Sequence, residues 1–184
     1  MQALLIAQPG PRSGEVIVKV AAAGINVSDT KNAQGHFPQT IFPCIPGRDF
    51  PGILEERPGL WRARRVFGSG APLGFVRPGS HAQYLAVPEE ALVLSPDGLS
   101  GDRLAAMGVP YTTAWRVLMG RARLEPGETV VIAGVTGAVG LAALSLARAQ
   151  RARVIGVGRR LSGLFPWMLL WTPPARNCQE QSWR

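Results

Sequence analysis

Cysteine, histidine and lysine are nearly missing from this chain, with two of each among 184 residues. Cys44 and Cys178 lie far apart, so the sequence offers neither a disulfide framework nor a Cys-x-x-Cys metal pair. His36 and His81 have no ligand spacing to each other or to Cys44, and no metal site is expected. Acidic side chains are also sparse: 12 against 20 basic ones, for a net charge of +8. The positive charge sits almost wholly on arginine, spread from Arg12 to Arg184. No basic run interleaves with aromatics, so nucleic acid is not an expected partner. The N-terminus lacks a basic segment leading into an apolar one, which predicts no signal peptide. The apolar stretch 164–171 is too short to span a bilayer and contains Pro166, so no membrane association is expected. A soluble cytoplasmic protein is the default reading.

What is present is 46% hydrophobic, with 22 glycines and 16 prolines. That supports one good core or two small ones. Residues 1–124 read as mostly β, with strand candidates at 3–7, 15–22, 52–55, 65–68 and 80–87, punctuated by glycine and proline. Residues 26–34 predict a short helical turn with Ser28 or Asp29 near its start. Residues 101–123 predict a helix interrupted at Pro110. The polar turn Glu125-Pro-Gly-Glu128 then leads into a different pattern.

Residues 128–133 are apolar and β-branched, which predicts a buried strand. Residues 141–148 predict a helix and 153–158 the next strand. Between the first strand and the helix stands Gly134-Val-Thr-Gly137-Ala-Val-Gly140. Residues 125–160 therefore predict a βαβ unit with glycines at its first turn, where a backbone approaches a pyrophosphate and the helix N-terminus faces it. Strict G-x-G-x-x-G would need glycine at Val135, so the turn is a variant. Gly134, Thr136, Gly137, Ala138, Val139 and Gly140 are the candidate phosphate contacts. A tight turn that binds nothing is the plain alternative. NAD-binding versions carry an acidic residue about 20 positions past the glycines, but this chain has none between Glu128 and Glu180. Arg159 and Arg160 stand there instead, and two guanidiniums match a 2′-phosphate by charge and by forked hydrogen bonding. NADP(H) is the expected cofactor, with solvated surface arginines as the alternative.

Four further stretches carry a resemblance: Ala23-Gly-Ile-Asn-Val-Ser-Asp-Thr-Lys31, Pro46-Gly-Arg-Asp-Phe-Pro-Gly52, Gly79-Ser-His-Ala-Gln-Tyr84 and Ala106-Met-Gly-Val-Pro-Tyr-Thr-Thr-Ala-Trp115. With the glycine turn they occur in series, and over residues 14–160 the chain resembles the medium-chain dehydrogenase/reductase superfamily, in its zinc-independent quinone oxidoreductase (zeta-crystallin-like) branch. The resemblance implies an α/β plus β architecture: a GroES-like domain over 1–124, then an incomplete, doubly wound Rossmann domain beginning at 125. Zinc-dependent relatives place a ligand Cys where this chain has Asn26 and a ligand His where it has Arg48. The implied activity is metal-free hydride transfer from NADPH to a quinone or an α,β-unsaturated carbonyl (an enone). Asn26, Asp29 and Lys31 are the implied catalytic residues: an amide donor to the acceptor oxygen, an orienting carboxylate and a source of charge or a proton. A helix cap for Asp29 and a surface role for Lys31 are the simpler readings. Thr113 matches a position near the cofactor, or bonds back into its own helix. Tyr84 reads as packing, Tyr111 as a weaker pocket candidate.

Residues 161–184 depart from the family. The periodicity lapses after Leu161, and three of the five tryptophans fall in the last eighteen residues. A shifted reading frame or a truncated product is the expectation drawn from this. The alternative function is accordingly a non-catalytic remnant with at most weak NADP(H) binding, and homodimerisation is expected only of a full-length form.

Overall fold

The computed structural model describes residues 6–56, 64–70, 72–158 and 169–171. The chain forms two compact units that divide between Val109 and Pro110. This is earlier than the boundary expected near residue 124, because Ala114, Leu118 and Leu124 pack into the core of the second unit.

The first unit is built on a five-stranded antiparallel sheet: β1 (Glu15–Val20), β2 (Phe50–Glu56), β3 (Arg65–Gly68), β4 (Tyr84–Pro88) and β5 (Leu92–Leu94), in the order β4-β1-β2-β3-β5. β1 pairs on both edges, with Val18 opposite Leu54 of β2 and Leu85 of β4. Its Val16, Ile17 and Val18 are all buried, which explains why apolar residues occupy both faces of this strand rather than one. Phe50, Leu54, Val66, Leu85 and Val87 complete the core. The strand expected over 80–87 starts only at Tyr84, because Gly79, Ser80 and His81 donate their backbone N–H groups to Ile45, Gly47 and Pro46. Of the strand expected over 3–7, residues 3–5 lie outside the described set, and 6–7 carry no regular structure.

The described residues of this unit also form short helices, α1 (Val27–Ala33) and α2 (Gly101–Ala105), the second packed on β2. A third, α3 (Gly108–Trp115), carries the chain across the boundary and continues as a π-helical turn over Arg116–Arg121. The break expected at Pro110 falls instead at Ala106 and Met107. Pro110 sits in the first turn of α3, where a missing N–H costs no helix bond.

The second unit holds a parallel sheet, β6 (Thr129–Ala133), β7 (Arg153–Val157) and β8 (Leu169–Trp171), with α4 (Ala138–Ala149) linking the first two. The predicted βαβ unit is present at the predicted place. α4 buries Gly140, Ala143, Leu144 and Ala147, the i, i+3, i+4, i+7 stripe of a helix with one apolar face, against Ile132 and Val135. The opposite face of β6 is open, with Val131 62% exposed. β8 departs from the sequence reading, which finds no strand after residue 160. Three residues pair with β7 there through their backbones, which requires no side-chain alternation. The rest of the 161–184 tail, with its expected frame shift, lies outside the described residues, as do Arg159 and Arg160.

Candidate functional site

Two groups of candidate residues lie in separate units. In the first, α1 begins at Asn26, whose backbone is extended. Its N–H donates to Asp29 Oδ2 at 2.8 Å, the reciprocal half of a capping box. Asp29 is thus a helix-cap residue, 4% exposed, and it is more than that. Its other oxygen lies 3.5 Å from Arg48 Nε. Arg48 also donates from Nη2 to Ser28 Oγ and stacks its guanidinium 5.2 Å above the Phe75 ring. Ser28, Phe37, Gln39, Arg48 and Phe75 line a cavity of about 380 Å³. Lys31 stands apart: it is exposed, and its ammonium makes no ion pair among the described residues.

The side chain of Asn26 turns inward. Its Nδ2 donates at 2.8 Å to Oδ2 of Asp49, which is 1% exposed. The same carboxylate accepts the Ser69 hydroxyl at 2.6 Å and the Val109 N–H on both oxygens, at 3.0 and 2.9 Å. No cation neutralises it among the described residues. Three donors and the positive end of α3 do so instead. Gly108 must be glycine here, since a Cβ would lie 2.5 Å from Asp49 Cγ and 2.6 Å from Ser69 Oγ. The Asp49 backbone is fixed as well: its carbonyl accepts the Gly24 N–H at 3.0 Å and the Ser80 hydroxyl at 3.2 Å.

Asp49 and Arg48 are the residues that sequence reasoning passes over as chemistry. Both are visible there only as part of a motif. A carboxylate placed directly before an apolar strand start, Phe50-Pro51, is the local signal that it is buried and must be paired.

Elsewhere in the first unit, burial pushes the Cys44 thiol up from its ordinary value. Partial burial would also raise the Glu15 carboxyl. The hydrogen bond from the Arg12 N–H and the Arg77 guanidinium, 2.5 Å away, outweigh it and hold the group below the usual carboxylate range. His81 Nε2 sits 3.0 Å from the Gly24 carbonyl. Among the described residues, no three His, Cys, Asp or Glu side chains gather as ligands would.

In the second unit, β6 ends at Ala133 and the chain turns through Gly134, whose φ of +73° is in the left-handed region. Gly137 is the N-cap of α4, with no side-chain cap, so Ala138, Val139 and Gly140 open the helix with N–H groups that have no helical acceptor. A Cβ on Gly140 would strike the Gly134 carbonyl and lie 2.7 Å from Val135 Cα. This glycine lets the helix close onto the turn. A Cβ on Gly137 would meet only the Gly134 oxygen, at 3.4 Å, leaving the mouth of the turn open. Thr136 is exposed beside it. The arrangement fits a pyrophosphate: N–H groups with no helical acceptor, a helix of twelve residues behind them and, among the described residues, no side chain in the way. Thr113 is exposed on α3, and its hydroxyl makes no hydrogen bond among the described residues. Tyr111 packs against the second core cluster, and Tyr84 is half-buried in β4.

Comparison with known proteins gives a consistent picture. The alcohol dehydrogenase GroES-like domain family matches residues 12–97. A zinc-type alcohol dehydrogenase-like protein of Schizosaccharomyces pombe is 42% identical over 152 residues, covering 82% of this chain and 46% of that protein. Human quinone oxidoreductase is 33% identical over 156 residues, with the same coverage of each. Among solved structures, an alcohol dehydrogenase superfamily protein of Novosphingobium aromaticivorans superposes with a TM-score of 0.78 at 33% identity, over 85% of this chain and 49% of its own. The quinone oxidoreductase of Thermus thermophilus, whose structures include a complex with NADPH, gives 0.72 at 33% identity over the same shares. The chain spans about half the length of the curated relatives it matches.

Proposed function

This chain belongs to the medium-chain dehydrogenase/reductase superfamily, and from that premise we propose that it is an NADPH-dependent, zinc-independent reductase of quinones or enones, with little or no activity as these 184 residues alone. The observation that carries the reading is the 134–140 turn: an open, glycine-built cradle at the N-terminus of α4. Gly134, Thr136 and Gly137 would border the cofactor's pyrophosphate, with the N–H groups of Ala138, Val139 and Gly140 aimed at it. Arg159 and Arg160 would take the 2′-phosphate that separates NADPH from NADH, and Thr113 would lie towards the cofactor. When bound, the cofactor supplies a hydride to the acceptor carbon.

The chain's own residues prepare the acceptor. Charge develops on the acceptor oxygen, and donors fixed beforehand stabilise it. Asn26 is held by Asp49 through one N–H of its amide and keeps a second to offer. Asp29 orients the start of α1 and holds Arg48. Lys31, exposed and without an ion pair among the described residues, would bring a proton or a charge. The zinc-independent reading is supported by the donor set: an amide and a guanidinium, neither of them a ligand for Zn²⁺, stand at Asn26 and Arg48. The name of the Schizosaccharomyces relative, a zinc-type protein, is the competing indication. The reading carries a cytoplasmic location and a homodimer only for the full-length form.

A second reading is favoured by one observation. The described parallel sheet has three strands, half of a doubly wound dinucleotide fold. The 184-residue chain alone is then a remnant that binds NADP(H) weakly and turns nothing over. NADPH oxidation in the presence of duroquinone, corrected for the enzyme-free rate, separates the two. We expect little or no turnover from this chain, and turnover from a version extended to its relatives' length. Failure of the extended version, properly folded, would sink the reductase reading.

A further inference from the structure

A second cavity of the first unit, of about 260 Å³, lies along β4 and includes none of the residues discussed above as catalytic or cofactor-binding. β4 stands at the edge of the five-stranded sheet. Its register with β1 sets Ala86 opposite Ile17 and Leu85 opposite Val18, and the Val20 N–H donates to the Gln83 carbonyl. Bonded and unbonded pairs alternate along an antiparallel ladder, so the backbone groups of Tyr84 and Ala86 point away from β1. Arg77 covers one of them. Its Nη2 donates to the Ala86 carbonyl at 3.3 Å and to Glu15 Oε1 at 2.5 Å. The Ala86 N–H has no acceptor among the described residues. Nε and Nη1 of Arg77 have none either, although that side chain is only 26% exposed. The Arg12 guanidinium and the Tyr84 hydroxyl, which also line the cavity, make no hydrogen bond among the described residues. Glu15 is the one acid in the lining, and both of its oxygens are engaged, Oε1 by Arg77 and Oε2 by the Arg12 N–H at 3.1 Å. Ile6, Ile45 and Val76 supply an apolar wall.

We propose that this cavity binds a small monocarboxylate, its oxygens received by Arg77 and Arg12 and its short apolar group laid against Ile45 and Val76. Three features set the ligand class. The first is the surplus of donors. Guanidinium forks match a carboxylate in both charge and geometry, and an N–H group without an acceptor in a half-closed cavity is a loss that an anionic oxygen removes. The second is the charge. Arg12 and Arg77 against Glu15 leave one net positive charge in the lining. A carboxylate cancels it, whereas phosphate, with more than one negative charge at neutral pH, exceeds it and meets Glu15. The third is the size. Small-ligand sites span about 300–1,000 Å³, and this cavity falls just below that range. A dinucleotide does not fit, and an acid with a short branched chain does. The Glu15–Arg77 pair is the fixed element of the site, because it holds one side of the Arg77 fork and leaves the other turned to the ligand. The site lies wholly within the first unit and does not rest on the reductase reading.

The test needs neither cofactor nor turnover. Isobutyrate carries the carboxylate and a branched apolar group, isobutyramide has the same shape without the charge, and inorganic phosphate has charge without an apolar group. Amide-detected NMR titration of the 184-residue chain at low ionic strength gives both the affinity and the place of binding. Isobutyrate is expected to bind about tenfold more tightly than isobutyramide, the gap between a charge-assisted and a neutral hydrogen bond, and more tightly than phosphate. It should shift the Tyr84 and Ala86 amide signals and leave those of Ala138, Val139 and Gly140 in place. Arg12→Gln keeps the backbone N–H that serves Glu15 and should bring isobutyrate down to the affinity of the amide. Tyr84→Phe, which removes one donor and no charge, should weaken isobutyrate by about threefold. Equal affinity for acid and amide, tighter binding of phosphate at Tyr84 and Ala86, isobutyrate shifts confined to 138–140, or an acid preference that survives Arg12→Gln would each overturn the assignment.

Discussion

Asp49→Ala should destabilise the first unit by about 3–5 kcal/mol, the order expected for three stranded buried donors less the desolvation the carboxylate no longer costs. The magnitude comes from what is left behind. Alanine strands the Asn26 amide, the Ser69 hydroxyl and the Val109 N–H, which now donate at 2.6 to 3.0 Å. Each unsatisfied buried donor costs about 1–3 kcal/mol, partly offset because a buried carboxylate no longer has to be desolvated. Asp49→Asn is the informative control. Its carbonyl can occupy the Oδ2 position and accept from Asn26 and Val109, while its NH₂ faces Ser69, whose hydroxyl can turn to accept. What is lost is the negative charge at the first turn of α3, a change of about 1–2 kcal/mol. Urea unfolding followed by hydrogen-exchange mass spectrometry of the β1 and β2 peptides reports on this unit alone. With a slope of about 2 kcal/mol/M, Asp49→Ala should move its midpoint by about 2 M. A shift under about 0.5 M on the same slope, or an asparagine variant as damaged as the alanine one, would refute the account of Asp49 as an acceptor hub.

Gly108→Ala should destabilise the same unit even though alanine is favoured over glycine in a helix by about 1 kcal/mol, because its Cβ would crowd the Asp49 carboxylate; a raised melting temperature would contradict this. Gly140→Ala should loosen the second unit and abolish NADPH binding by fluorescence titration, whereas Gly137→Ala, whose Cβ would make only an ordinary van der Waals contact with the Gly134 oxygen, should leave the fold intact. Glu15→Gln should lower stability at pH 7 but not in acid. The folded carboxyl lies below its ordinary value, so its contribution is complete above the unfolded value of about 4.3 and is lost as pH falls through the folded one. A wild-type advantage over Glu15→Gln that persists at pH 2 would argue against the Arg12 and Arg77 contacts as its source.

The elements that can be read from the sequence are those whose signals are local. β6, α4 and β7 announce themselves because a β-branched run, a glycine turn and an alanine-rich stripe lie close together along the chain. β3 stands residue for residue where its pattern puts it. β5 escapes because three residues cannot establish an alternation, and the pause in the helical stretch falls at Ala106 and Met107 because the expectation follows proline rather than the needs of the first turn. The candidate site divides the same way. The Asn26–Asp29 cap spans three positions and can be anticipated, whereas the partners of Asp49 stand 20, 23 and 60 positions away. No periodicity connects them. Arg48 likewise acquires its meaning only when the chain brings Ser28, Asp29 and Phe75 around it.

Every donor to the Asp49 carboxylate comes from residues 26–109, so the first unit ties off its own interior before the chain passes Val109. The tie is made at the last residue that belongs to it, like a knot at the end of a seam. A domain finished in this way hands on a helix and nothing unresolved. A substitution in the parallel sheet of the second unit leaves every donor to Asp49 in place, since all of them precede Pro110.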